Sequence, residues 1–160
     1  MVLYSCGPNA PNEAEEPTGI EATINMALST SSEEAKASFG QWLRQYYVGD
    51  IVEARNLFDA AIAADKDFAL AHTYRAYTSQ GPKDFATYSN KADALSANVA
   101  EAEKLLIEIN QTFMSNDLNN RVIIAESLVK KYPMNFIARL ELSDAYRASN
   151  KVEEARKQLL

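Results

Sequence analysis

The sequence predicts an all-α protein made of stacked helix pairs, and three observations predict it. Ala54 and Ala155 sit in near-copies of one phrase, Gly49-Asp50-Ile51-Val52-Glu53-Ala54-Arg55 and Asn150-Lys151-Val152-Glu153-Glu154-Ala155-Arg156. The two alanines stand 101 residues apart, close to three periods of the ~34 residues of a helix-turn-helix array. Apolar residues recur between them at helical spacing. Five Gly and five Pro in 160 residues are too few for a turn-rich β fold.

The first helix of the array is expected just after Ser32. A serine N-cap followed by Glu33 and Glu34 in the first turn is a helix start. Unit one covers about 35–68. Its first helix carries Phe39, Trp42, Leu43 and Tyr46 on one face, Gly49-Asp50 makes the turn, and Asp50 caps the second helix. That helix turns Ala54, Leu57, Phe58, Ala61 and Ile62 inward. Unit two covers about 69–101. Its first helix ends at Gly81-Pro82, Asp84 is the expected cap of the next, and Phe85, Tyr88, Ala92 and Leu95 form the inner face. Unit three, about 102–135, places Leu105, Leu106, Ile109 and Phe113 on one helix. Asn116-Asp117 makes the turn, and Val122, Ala125, Leu128 and Val129 lie on the second helix. Lys130 and Lys131 complement the negative end of that helix, and Pro133 follows it. Unit four, about 136–160, carries Ala138, Leu142, Ala145 and Tyr146, turns at Asn150, and stops at Leu159-Leu160. A stacked array needs a polar capping helix. An apolar, unfinished last helix therefore predicts a longer chain, a partner, or self-association through the uncapped C-terminal end.

Residues 1–19 read as a flexible acidic tether. Residues 7–19 hold three prolines and no large apolar side chain, so they cannot bury a core. Residues 20–34 read as a segment lying on the first repeat, through Ile20, Ile24, Met26 and Leu28. The net charge of −6 belongs to this leader: residues 1–34 carry six Glu and no Lys or Arg, and the remaining 16 acids balance the 16 bases. A neutral array lacks the basic excess of a nucleic-acid binder. One Cys excludes an internal disulfide, and one His leaves no zinc-type ligand cluster, so neither metal nor cofactor is expected. No stretch approaches the ~20 apolar residues of a membrane span. Neither a phosphate loop nor a nucleophile elbow occurs. His72 has no nucleophile or carboxylate beside it in the pattern, and Glu15-Glu16 and Glu153-Glu154 are neighbours that point apart on a helix. The expectation is a protein that is not an enzyme.

At these residues the chain resembles the tetratricopeptide repeat family. Unit one matches that family's pattern through Phe39, Trp42, Tyr46, Gly49, Asp50, Ala54, Phe58 and Ala61. Unit four matches through Leu142, Ser143, Tyr146 and Ala155, and unit three mainly at Pro133. Unit two departs from it, with Tyr88 in a small-residue position and Ala100 where Pro is expected. The resemblance implies a right-handed superhelix of antiparallel helix pairs, about 3.5 to 4 repeats, with the first helix of each pair lining a concave wall. The wall positions map to Gln41, Arg44 and Tyr47, then Tyr74 and Tyr77, then Glu141, Asp144 and Arg147. Tyr and Arg are common interface anchors. The Lys/Asn set with which chaperone-binding members clamp a C-terminal carboxylate is missing from these positions.

Val2-Leu3-Tyr4-Ser5-Cys6-Gly7 resembles the end of a bacterial lipoprotein signal, in which the Cys is lipidated. Thr30-Ser31-Ser32-Glu33-Glu34-Ala35 resembles the start of repeat proteins exported by Bacteroidetes-type bacteria. These resemblances imply a scaffold that binds a protein or peptide partner, anchored through Cys6 in the cell envelope at the outer membrane or periplasm. Two alternatives stand beside it. One is a structural accessory subunit of an outer-membrane assembly or transport complex. The other is a soluble cytosolic adaptor in which Cys6 is an ordinary free thiol.

Overall fold

The computed structural model of the protein describes residues 26–159, with residues 43, 44 and 46–48 described by their backbone alone. Cys6, the tether over residues 1–19, and Ile20 and Ile24 lie outside the described residues. Among the described residues the chain is all-helical, as expected, with eight α-helices and no strand. These are α1 (Glu33–Val48), α2 (Ile51–Ala64), α3 (Ala69–Tyr77), α4 (Pro82–Leu95), α5 (Glu101–Ser115), α6 (Leu118–Lys131), α7 (Phe136–Ala148) and α8 (Val152–Lys157). A short 3-10 turn, Ser96–Asn98, follows α4.

Local chemistry sets most helix ends. Ser32 Oγ accepts the Ala35 N–H at 3.1 Å and starts α1. Gly49 ends it at φ 72°, a left-handed conformation that favours glycine. Asp50 then caps α2, accepting from Glu53 N–H at 2.9 Å. The same device recurs between α5 and α6, where Asn116 takes φ 52° and Asp117 accepts from Asn120 N–H at 3.0 Å. Asn135 caps α7 through the Ala138 N–H at 2.8 Å. The start of α4 differs from expectation. Gly81 is the N-cap and Pro82 occupies the first turn, because proline presets a helical φ and has no N–H to cap. Asp84 is therefore inside the helix, where it pairs with Arg75 at 3.2 Å instead of capping.

Consecutive helices pack against one another, and α3 also packs on α5. The core runs through Phe39, Phe58, Phe68, Leu70, Leu106, Ile109, Leu128 and Ile137. Residues 69–76 of α3 are all buried, polar ones included. Such a helix is stable only when its polar side chains are bonded. Thr73 donates to the Ala69 carbonyl at 3.1 Å, and Arg75 Nε donates to Asp59 at 2.6 Å. His72 Nε2 lies 2.9 Å from the Lys66 carbonyl, and burial pulls its pKa down. Met26 and Leu28 join the core. Beside them Ser29 ties the segment to the start of α5: its N–H donates to Glu103 and its Oγ accepts from Ala100 N–H, each at 2.7 Å.

Candidate functional site

One groove of about 280 Å³ opens between α1, α2, α3, α5 and α7. Trp42 and Gln45 reach it from α1, Ala54 and Phe58 from α2, and Tyr74 and Tyr77 from α3. Phe113 comes from α5, and Leu140, Glu141 and Asp144 come from α7. Asp50, Ile51 and Thr78 complete the lining. Ile51 and Phe113 are 57% and 40% exposed, so apolar surface is offered at the mouth.

The walls are aromatic. Trp42 stacks on Tyr74 with centroids 4.9 Å apart and planes at 27°. Tyr77 turns edge-on to Tyr74 at 5.6 Å, and Phe113 edge-on to Tyr77 at 5.2 Å. These offset and edge-to-face pairs hold ring faces at several orientations around one space. Arg121 backs the Phe113 wall, its guanidinium carbon 3.4 Å from the ring centroid and its Nε donating to Thr112 Oγ1 at 2.9 Å.

Glu141 is a buried acid of the groove. It is 7% exposed, and Tyr74 Oη donates to its Oε1 at 2.9 Å. Among the described residues Tyr74 is its only hydrogen-bond donor. Burial raises the Glu141 pKa to about 7, against the lowering effect of the Tyr74 hydrogen bond. Asp144 adds to the rise and Arg121 opposes it. Burial likewise raises Asp144, while Arg147, at 3.1 Å, holds it down. Tyr74 and Tyr77 are pushed well above the usual phenol value, by burial first and by Glu141 second. The Asn110 side chain lies beside the Tyr77 hydroxyl. Asn110 is buried there, and its contact with the hydroxyl works against the rise of the Tyr77 pKa.

Of the residues mapped to a concave wall, Tyr74, Tyr77, Glu141 and Asp144 line this groove together. Tyr74 and Glu141 stand 67 residues apart and bond to each other, so much of their surface is spent within the molecule. Arg147 is exposed beside Asp144, and Gln41 is exposed outside the lining. The side chains of Arg44 and Tyr47 lie outside the description. The sequence alone puts Trp42 on an apolar helix face, Phe58 on an inner face and Phe113 on the first helix of unit three, and reads Asp50 as a cap. Their second role depends on which helices close around them. Arg121 carried no signal at all, since an Arg on an amphipathic helix ordinarily reads as solvated.

Among the described residues no group of His, Cys, Asp and Glu is placed to hold a metal ion. No helix there is long and apolar enough to cross a membrane. The chain matches no protein-family model, and neither a curated protein nor a solved structure matches it.

Proposed function

We propose that the chain is a non-enzymatic scaffold of the tetratricopeptide type that binds a protein partner. In this reading α1–α2, α3–α4, α5–α6 and α7–α8 are the helix pairs of a right-handed superhelix. The groove between α1, α2, α3, α5 and α7 is its receptor surface. The observation that carries it is an aromatic groove that stays open between packed helices with Ile51 and Phe113 exposed at its mouth. Exposed aromatic and aliphatic residues at the rim of a concave site are the anchors from which peptide recognition is built. Lipidation of Cys6 would tether the domain to the bacterial envelope.

Ile51→Asp with Phe113→Asp tests the receptor reading, because both side chains are exposed at the groove, and far-ultraviolet circular dichroism checks that the variant keeps its fold. Partners cross-linked to the wild-type protein in cells should be lost from this variant and kept by Ile123→Asp, an exposed apolar site elsewhere. The reverse pattern would favour a second reading, a structural subunit of a larger envelope assembly. Exposed Ile123, Met134 and Val152, all outside the groove lining, are the observation behind that second reading. Fractionation of cells expressing the native gene, with Cys6→Ala as control, tests the tether. A membrane-bound wild type with a lipid-sized gain in mass supports it, and a soluble, unmodified wild type favours a cytosolic adaptor.

A further inference from the structure

We infer that the groove receives a lysine-like alkylammonium side chain of the partner protein, seated on the aromatic walls with Glu141 as its counter-charge. This rests on the receptor reading above and adds the chemistry of what is received. Among the described residues the groove is lined by three acids, Asp50, Glu141 and Asp144, and by no Lys or Arg. Cations bind over the faces of Trp, Tyr and Phe, more strongly when desolvated. Trp42, Tyr74, Tyr77 and Phe113 present such rings around a buried carboxylate. The volume lies at the small end of ligand pockets, which run from about 300 to 1,000 Å³, so one extended side chain is the suitable occupant.

The charge of the surroundings favours the same occupant. Among the described residues, Tyr74 and Tyr77 from α3, Arg121 from α6, and Asp144 on its own helix are the titratable and charged groups that act on Glu141 or share its surroundings. Arg147 stands beyond Asp144 at the surface. Arg121 lies over the Phe113 ring and does not line the groove. The chain's own leader is a poor occupant, since residues 1–34 hold six Glu and no Lys or Arg. An incoming ammonium also favours the ionised form of Glu141, so binding should release a proton near neutral pH and strengthen as pH rises through about 7.

The test uses side-chain analogues as probes. Trp42 is the one tryptophan of the chain and lines the groove, so its fluorescence reports occupancy at this site. At pH 8 n-butylammonium should bind roughly tenfold more tightly than 1-butanol. The preference should shrink at pH 6 and fall to about twofold or less in Glu141→Gln, which retains an acceptor for Tyr74. Equal or tighter binding of 1-butanol, or of butyrate, would overturn cation selection while leaving the groove a receptor. Choline outcompeting butylammonium would replace the partner lysine with a free quaternary ammonium. A probe response that appears only after removal of residues 2–25 would make the leader the occupant. If no probe perturbs Trp42 while the protein remains folded by circular dichroism, this inference fails, and the cross-linking of the Ile51→Asp with Phe113→Asp variant decides the receptor reading separately.

Discussion

Glu141 is an acid whose burial favours the protonated form, so its contribution to stability runs opposite to that of an ion-paired carboxylate. Its pKa rises from 4.5 to about 7 on folding. The folded chain therefore binds more protons than the unfolded chain between those values. Stability is highest at the acid end of that window and falls as pH rises through it. Glu141→Gln mimics the neutral acid. It should change stability little near pH 5 and raise it by at least about 1 kcal/mol at pH 8, read from urea unfolding at the two pH values. Equal effects at both would mean that the carboxylate is not strained by burial. Tyr74→Phe removes the hydroxyl that Glu141 accepts from. It should cost about 1–3 kcal/mol, more at pH 8 than at pH 5, because the ionised carboxylate loses more than the neutral acid. In the Glu141→Gln background the pH dependence of that cost should vanish, a coupling that a double-mutant cycle measures.

At the scale of the element, the chain relies on side chains that satisfy the orphan N–H groups of helix starts. Asp50→Ala and Asp117→Ala should each cost about 1 kcal/mol in denaturant unfolding. A clearly smaller loss would show that water serves these helix starts as well. Gly49→Ala meets no steric neighbour within 4 Å, so its cost is the left-handed backbone alone, roughly 1 kcal/mol. Asp84 belongs to a different class, although it too stands near a helix start. Together with Asp59 it neutralises Arg75, whose guanidinium also lies 4.3 Å from the Tyr88 ring centroid. Arg75 thus joins α2, α3 and α4, and its loss leaves a hole in a helix that is buried on all sides.

Across the whole molecule, two long-range ties connect elements that sequence neighbours alone would leave apart. One is the Tyr74–Glu141 hydrogen bond, which joins α3 to α7 across the groove. The other is the segment before α1. It buries Met26 and Leu28, bonds through Ser29 to the start of α5, and donates from Thr30 Oγ1 to Asp65 at the end of α2. Ties of this kind couple elements far apart in sequence, so the helices are expected to unfold as one cooperative unit. Leu28→Ala should therefore destabilise the protein by about 2–4 kcal/mol. Trp42 fluorescence and far-ultraviolet circular dichroism should still unfold at the same midpoint. Separate midpoints would mean that the two ends of the chain unfold independently.

The sequence by itself determined the helical class and most helix ends. Both depend on interactions that reach only about four residues: the apolar period, the left-handed Gly49 and Asn116, and the aspartates that follow each of them. It missed the start of α4, where a proline at the first turn outranked a downstream aspartate as a start signal. Only the tertiary structure decided the chemistry of the groove. Tyr74 and Glu141 stand 67 residues apart in the sequence. Whether they face solvent or each other depends on how the helices around the groove enclose it. That enclosure desolvates Glu141 and moves its pKa towards neutrality, while Phe113 stays exposed at the groove. Burial and charge sum over groups from separate helices, and no window of the sequence contains them all.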